Sequence, residues 1–309
     1  MSKEKVIISL GDPAGCGPII TALALEKLSS KKYEFFVVGD KKILERIPSY
    51  QKIKSRINLI NLATPGIEKI RKGYSSKLTG EASLNYLNKA LSIMKDKGIK
   101  RLVTAPLSKE AVGEVCPGFT GHTEYLAHHF KTKNFAMMMT SNRLKVVLLT
   151  RHVMLSDIFS LLKRKAIIDT LSLTYKSLQR QFKITKPRIV FASVNPHAGI
   201  NTFLGEEEKK IIKAISEFKR KIYGPYPGDT LFLQKNLKKY DCVICAYHDQ
   251  AMTPFKILAP DDGINFTVGL PIIRTSPAHG VAYDVIRKNK IPAYFSMFSA
   301  IKSALSLSL

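Results

Sequence analysis

The stretch YDCVICAYHDQAMTPFKIL, residues 240–258, joins an apolar run to a polar end, and this pattern determines the expected fold. Its first half, residues 240–247, has the length and composition of a short β-strand. A strand that is apolar at almost every position is typical of a parallel sheet covered by helices. His248, Asp249 and Gln250 follow directly, and Lys256 lies further on in apolar surroundings. We therefore expect a buried strand that leads into a functional turn.

The same pattern recurs along the chain. Strand-like runs occur at 5–10, 33–39, 101–105, 145–150 and 188–194, and amphipathic helical segments at 79–98, 165–182 and 205–221. Strands that alternate with such helices predict an α/β fold with a largely parallel sheet. The runs 135–141 and 142–150 also predict a hairpin that turns at Ser141 and Asn142.

Polar residues collect after five of the predicted strands. The five segments are SLGDPAGCGP (9–18), TAPLSK (104–109), TRH (150–152), NPHAG (195–199) and YHDQ (247–250). In open α/β sheets the ligand crevice lies beyond the carboxyl ends of the strands. We therefore expect these segments to form one active site.

Three histidines, His152, His197 and His248, each lie just beyond a predicted strand. Three imidazoles with an open fourth position are typical of a catalytic zinc site. Their wide spacing is no local motif, so a structural, hydrogen-bonded role for each remains an alternative. Asp249 could orient His248, act as a general base or cap a helix.

Other charged and glycine-rich segments suggest anion binding. Lys256 and Arg274 lie in apolar surroundings, and such side chains commonly hold phosphate or carboxylate groups. The segment GDPAGCGP (11–18) has neither the dinucleotide-binding nor the P-loop spacing of glycines. It predicts a tight strand-to-helix turn.

Composition places the chain among globular proteins. It has 309 residues, of which 45% are hydrophobic and 24% charged, enough for two domains or one large α/β unit. The apolar runs are too short for a membrane helix or a signal peptide, so we expect a cytoplasmic protein without a membrane partner. The net charge of +25 is spread along the chain, which argues against a specific nucleic-acid partner.

The pair Cys242 and Cys245 forms a C-x-x-C motif, for which zinc or redox chemistry is one interpretation. Residues three apart in a strand point to opposite faces of the sheet. We therefore favour two buried structural cysteines.

Eight blocks of sequence together resemble the family of 4-hydroxythreonine-4-phosphate dehydrogenase, a vitamin B6 pathway enzyme. They are GDPAGCGP, TAPLSKEAV, GHTEYLA, LLTRH, NPHAG, GPYPGDTLF, YHDQAMTPFK and GINFTVGLPIIRTS. The resemblance covers nearly the whole chain.

The resemblance implies a fold like isocitrate and isopropylmalate dehydrogenases, with two α/β domains and an active-site cleft between them. We expect one domain at 1–125 plus 260–309, and a second at 126–259 that carries the dimer interface and the metal ligands. A homodimer is implied, with each active site shared across the interface.

The resemblance also assigns site residues. It makes His152, His197 and His248 the ligands of one divalent metal, zinc, cobalt or magnesium, with one ligand supplied by the neighbouring subunit. The implied substrate-binding residues are His122, Thr123, Lys256, Asn265 and Arg274, with Lys256 also catalytic. The implied reaction oxidises 4-phosphooxy-L-threonine with NAD or NADP, and the 3-oxo product loses CO₂ to give 3-amino-2-oxopropyl phosphate.

The chain departs from the family pattern at several positions. Cys16 and Ile19 replace an Ile and a Glu, Ala278 replaces an Asp, and RKNK (287–290) replaces a glycine turn. The last two changes affect the region that borders the dinucleotide in the fold relatives. Two alternatives are a dehydrogenase of phospho-threonate or phospho-erythronate, and a non-catalytic protein on this scaffold that binds anions or nucleic acid.

Overall fold

The computed structural model describes residues 3–28, 32–199 and 205–309, and strands alternate with helices over most of these ranges. The strands are β1 (Glu4–Ser9), β2 (Tyr33–Gly39), β3 (Ile57–Asn61), β4 (Arg101–Thr104), β5 (Ala136–Thr140), β6 (Lys145–Leu148), β7 (Ile189–Ala192), β8 (Ile222–Tyr226), β9 (Cys242–Cys245), β10 (Ile264–Val268) and β11 (Ile273–Pro277). The alternation confirms the predicted α/β class.

Helices connect most of the strands. They are α1 (Gly17–Glu26), α2 (Lys41–Leu44), α3 (Pro48–Ile53), α4 (Lys77–Lys97), α5 (Lys109–Gly113), α6 (His122–His129), α7 (Ile158–Leu161), α8 (Arg164–Arg180), α9 (Glu206–Glu217), α10 (Gly228–Leu231), α11 (Gln234–Leu237), α12 (His248–Leu258), α13 (Tyr283–Arg287) and α14 (Phe295–Ser306). The longest, α4, begins with a capping box formed by Ser76 and Thr79 and ends at Gly98, which is left-handed. Within the described ranges, no helix is both long enough and apolar enough to cross a bilayer.

The chain divides into two compact units. The first unit comprises residues 1–131, 270–307 and 309, and the second comprises residues 132–269 and 308. The expected domain boundaries lay at 125/126 and 259/260, so the second unit extends about ten residues further than expected at its C-terminal side. The reason is β10, whose residues 264–268 pair antiparallel with β5 of the second unit.

The first unit contains a parallel sheet with the strand order β3-β2-β1-β4-β11. The central strand β1 is fully buried at Val6, Ile7 and Ile8, as expected for a strand covered on both faces. Helix α4 packs on β1 and β2, and α14 packs on β4 and β11. Because the strands are parallel, the loops that follow β1 and β4 lie at the same edge of the sheet.

The second unit has the strand order β10-β5-β6-β9-β7-β8. Strands β10, β5 and β6 are antiparallel, and the predicted hairpin turns at residues 141–144. Strands β6, β9, β7 and β8 are parallel to one another. The carboxyl ends of β6, β9 and β7 therefore share one edge, and the turns that carry His152, His248 and His197 follow these ends.

Candidate active site

His152 and His248 lie side by side at this edge of the second unit. Their ring centroids are 5.5 Å apart, and the rings are inclined by 39°. The contact arises because the ladder between β6 and β9 continues into the turns, where the amides of Leu149 and Thr150 donate to the carbonyls of Cys245 and Ala246. The strand register thus brings together two imidazoles that are 96 positions apart in the sequence (248 − 152).

Asp249 contacts the ring of its neighbour. Its Oδ1 atom lies 2.9 Å from Nδ1 of His248, and the other ring nitrogen of His248 remains for a further ligand. The N-cap position of α12 is occupied by Tyr247, without a side-chain capping bond, so Asp249 does not cap this helix. Of the three roles considered for Asp249, the geometry favours orientation of His248.

His197 lies in a short 3₁₀ turn with an unusual backbone. Its φ is +57°, and the next two residues, Ala198 and Gly199, also have positive φ. The His197 side chain is exposed. Over residues 3–28, 32–199 and 205–309 of this single chain, no group of three His, Cys, Asp or Glu side chains is arranged to hold a metal.

Two predicted substrate-binding residues belong to the second unit. Lys256 lies in α12, and partial burial lowers the pKa of its ammonium group. Asn265 lies in β10, and its buried Oδ1 atom has no hydrogen-bond partner in the described part of the chain. An unpaired buried acceptor costs free energy unless a ligand supplies the missing donor.

The other three lie in the first unit. Arg274 of β11 is only 2% exposed, and its guanidinium donates two hydrogen bonds to Oγ1 of Thr104, at 3.2 and 2.6 Å. Burial lowers the pKa of Arg274 to about 10. His122 begins α6, next to the buried Thr123, and its buried Nε2 atom has no partner among the described residues. Burial, together with the positive charge of Arg274, holds the pKa of His122 well below its usual value.

The glycine-rich turn after β1 contains a polar pair that sequence reasoning missed. Asp12 is fully buried, and it accepts hydrogen bonds from the hydroxyl of Tyr283 at 2.6 Å and from the amide of Ala14 at 2.8 Å. Burial raises the pKa of Asp12. The Asp of the GDPAG segment was a visible signal, but nothing in the sequence indicated its partner 271 residues away.

This turn also forms one wall of an apolar pocket in the first unit. The pocket has a volume of about 290 Å³, and isoleucines and prolines from four segments line most of it. Three cationic side chains, Arg46, Lys72 and Lys290, are also part of the lining. Two of the departures noted in the sequence lie at this pocket, since Ile19 and residues 289–290 form part of its lining.

Three of the four cysteines, Cys16, Cys242 and Cys245, are buried structural residues. Cys242 and Cys245 have thiols whose pKa burial raises, to about 12 for Cys242. Cys16 packs against residue 280, with its sulfur 3.5 Å from the Gly280 carbonyl, and burial raises its pKa to about 12. Reactive thiols require the opposite shift.

Comparison with known proteins identifies the family. The family model described as "Pyridoxal phosphate biosynthetic protein PdxA" matches residues 22–304. The chain belongs to the PdxA family. A relative from Desulfosudis oleivorans, named 4-hydroxythreonine-4-phosphate dehydrogenase, is 38% identical over 300 residues, which cover 90% of this chain and 88% of the relative.

Two further PdxA relatives are informative. A crystal structure of 4-hydroxythreonine-4-phosphate dehydrogenase from Klebsiella pneumoniae superposes with a TM-score of 0.85 at 32% identity, covering 99% of this chain and 98% of the other. A protein from Oceanobacillus iheyensis, provisionally named D-threonate 4-phosphate dehydrogenase, is 36% identical over 99% of both chains. This PdxA-family chain is therefore an oxidoreductase of the dehydrogenase kind, and the alternative of a non-catalytic binding protein gains no support.

Proposed function

We propose that this enzyme oxidises 4-phosphooxy-L-threonine with NAD⁺ or NADP⁺ in pyridoxal phosphate biosynthesis. When bound, the nicotinamide cofactor would accept the hydride from C3, and loss of the hydroxyl proton would leave 2-amino-3-oxo-4-phosphooxybutanoate. This 3-oxo acid then loses CO₂ to give 3-amino-2-oxopropyl phosphate. The observation that carries the proposal is the pair of adjacent imidazoles, His152 and His248, at the sheet edge where such folds bind ligands.

The histidine pair fits a divalent cation. Two imidazoles on one tetrahedral zinc would have ring centroids roughly 5 Å apart, given a Zn–N distance of about 2.1 Å. The observed separation of 5.5 Å is close to this value. We propose His152, His248 and His197 as ligands, with one of the three supplied by the second subunit. When bound, the cation would supply a Lewis acid that lowers the pKa of the substrate hydroxyl.

The proposed substrate-binding residues differ in what each offers. Arg274 and Lys256 would pair with the negative charges of the substrate. Because its pKa is lowered, the His122 ring stays neutral. It can therefore form a hydrogen bond with the substrate without repelling Arg274. Asn265 offers a buried oxygen that lacks a donor. Contacts of this kind would restrict the orientation of the substrate and so of its C3 atom for hydride transfer.

The apolar pocket of the first unit fits part of a nicotinamide dinucleotide. Its isoleucines and prolines suit a flat purine ring, and Arg46, Lys72 and Lys290 suit phosphate groups. We propose that this pocket holds the adenosine end of the cofactor. The replacement of a glycine turn by residues 287–290 would then add a cation, Lys290, to the cofactor site.

A homodimer is the proposed assembly. The segment after His152 exposes several large apolar side chains, which are Val153 at 42%, Met154 at 74%, Leu155 at 66% and Phe159 at 44% exposure. Several large apolar side chains exposed within one short segment are the kind of feature that marks a protein interface. Its position next to a proposed metal ligand agrees with an active site completed by the second subunit.

A second candidate substrate is threonate 4-phosphate. The relative from Oceanobacillus iheyensis favours it, because that protein is nearly as similar to this chain as the relatives named for 4-hydroxythreonine 4-phosphate. The two substrates share a phosphate and a C3 hydroxyl. At C2, 4-phosphooxy-L-threonine has an amino group where threonate 4-phosphate has a hydroxyl.

The test is the formation of reduced nicotinamide, followed by its absorbance, with each substrate and each cofactor. We expect turnover with 4-phosphooxy-L-threonine that a chelator abolishes and added zinc or cobalt restores. His197→Ala should lower kcat by at least about 100-fold, since a metal contributes several kcal/mol to transition-state stabilisation. His129→Ala, an exposed histidine on α6, is the control. Near wild-type turnover in His197→Ala would refute the ligand assignment.

A further inference from the structure

Side chains tie together the three turns that carry His152, His248 and His197. The amide group of Gln250 bridges two of these turns. Its Oε1 accepts a hydrogen bond from the amide of Ala246 at 2.8 Å, and its Nε2 donates to the carbonyl of Ser193 at 2.5 Å. Gln250 therefore links the end of β9 to the end of β7.

The turn that carries His152 is linked to the end of β9 through Thr150. The hydroxyl of Thr150 donates to the carbonyl of Ala246 at 2.6 Å, and its backbone amide donates to the same oxygen at 3.1 Å. Ala246 thus has its amide bound by Gln250 and its carbonyl bound by Thr150. Both groups lie two residues from a proposed metal ligand, because Thr150 precedes His152 and Ala246 precedes His248.

A buried carboxylate holds the turn before His197. Glu208 of α9 is fully buried, and its Oε1 accepts from the amides of Val194 and Asn195, at 2.9 and 2.8 Å. Its Oε2 accepts from Nδ2 of Asn195 at 2.6 Å. A buried carboxylate is costly unless donors surround it, and here three N–H groups do so.

The backbone of His197 explains why such a clamp is useful. A non-glycine residue with positive φ costs of order 1–3 kcal/mol and persists only where neighbouring contacts determine it. The Glu208 bonds fix the chain up to Asn195, two residues before His197.

We propose that Gln250 and Glu208 are positioning residues for the metal ligands His248 and His197. They set the relative placement of the turns, so metal affinity depends on them although neither touches the ion. The inference rests on the proposed metal site. Replacing a residue that orients a metal ligand without contacting the metal typically lowers metal affinity by about 10–100-fold.

The test measures zinc affinity by competition with a chromogenic chelator. Gln250→Met keeps the length of the side chain and removes both bridging bonds, so we expect zinc binding about 10-fold weaker or more. Gln179→Met is the matched control, because Gln179 also donates to a backbone carbonyl, that of Thr185, from an exposed position of the same unit. The control should bind zinc as the wild type does.

A second variant and a second readout guard against misfolding. Glu208→Gln keeps an oxygen for the two backbone amides and loses the bond from Asn195, so we expect a smaller loss of affinity. The visible spectrum of the Co²⁺-loaded protein reports ligand geometry, and both variants should change it while thermal denaturation shows that each remains folded at the assay temperature.

The outcomes separate the two proposals. If the wild type binds neither zinc nor cobalt, the proposed metal site is refuted and this inference falls with it. If the wild type binds zinc, but Gln250→Met and Glu208→Gln bind it within about twofold of the wild type with an unchanged Co²⁺ spectrum, only the positioning role is refuted.

Discussion

Arg274, a proposed substrate-binding residue, is a cation buried inside the first unit. Its guanidinium is almost completely removed from water, and the burial lowers its pKa to about 10. A buried charge is unfavourable for the empty protein and becomes favourable when an anion arrives. The substrate phosphate would therefore recover free energy that folding lost.

Replacement of Arg274 by Met should separate its effect on substrate binding from its effect on stability. We expect KM for the phosphorylated substrate to rise about 10-fold or more, because hydrogen bonds to charged groups contribute about 1.5–3 kcal/mol. The melting temperature of the substrate-free enzyme should stay the same or increase, since the substitution removes a buried cation. Steady-state kinetics and thermal denaturation measure the two effects, with the exposed Arg143→Met as control. An unchanged KM would remove Arg274 from the proposed phosphate site.

His122 predicts a pH dependence of stability. Its pKa is depressed in the folded protein, so the unfolded chain binds a proton more readily, near pH 6.5. The stability contribution of neutral His122 is therefore present above about pH 6.5 and is lost as the pH falls below it.

His122→Asn should flatten the decline in melting temperature between about pH 6.5 and 5. A pH series of thermal denaturation curves measures this, and the control is His128→Asn, an exposed histidine on the same helix. If both variants follow the wild-type curve, burial of His122 does not control acid stability.

At the residue scale, the sequence pattern anticipated which two histidines come together. Polar side chains at strand ends indicated His152 and His248, and the strand register makes them neighbours. Gln250 was noted as part of the polar YHDQ segment, but its bridging contacts were not predicted, and Glu208 and Tyr283 were not identified, because each acts through a partner that only the tertiary structure brings near. Hydrogen-bond partners distant in the chain leave no periodic signal in one sequence.

At the scale of elements, strands with an unbroken apolar run were predictable even at four residues, as β6 and β9 show, whereas strands with a weak pattern and very short helices were not. Strand β2 occurs exactly where its apolar run predicted, and α4 begins two residues before the predicted start. Strand β8 contains Gly224 and Pro225, residues that weaken strand patterns. Helices such as α2 and α10 have four residues each, too few to show a helical period.

Close packing explains why the turn between β1 and α1 has a glycine at position 17. A Cβ atom on Gly17 would lie 2.3 Å from the carbonyl oxygen of Leu10 and 3.2 Å from the Cβ of Ala105. Gly113, at the end of α5, has no heavy atom within 4 Å of the equivalent position. The pair offers a matched comparison of the same substitution.

Gly17→Ala should lower the free energy of unfolding by about 1–3 kcal/mol or more, because the backbone of Leu10 must move to accept the methyl group. Gly113→Ala should be neutral or stabilising by up to about 1 kcal/mol, since alanine favours helix. Urea denaturation measures both. Equal effects of the two substitutions would show that the contact with Leu10 does not limit this turn.

At the scale of the whole molecule, the proposed active site requires residues from two chains. The family resemblance implied three histidine ligands, and the described residues of one chain bring two of these histidines together without a complete group of three. Contacts between protomers leave little trace in a single sequence, because an interface residue and a surface residue can have the same composition. The exposed apolar side chains at 153–155 and 159 are the physical sign of an interface.

Negative charge introduced into the exposed apolar segment after His152 should therefore separate the two protomers and weaken metal binding. The double variant Met154→Glu/Leu155→Glu introduces two carboxylates where side chains are 74% and 66% exposed, so the fold of one chain has no reason to change. We expect sedimentation velocity to give a monomer and zinc affinity to fall together, because the proposed site takes ligands from both protomers. Ile291→Glu, at 80% exposure in the first unit, is the control and should remain dimeric. A monomer that binds zinc as tightly as the wild type would mean that one chain supplies every ligand, and a double variant that remains dimeric would place the interface elsewhere.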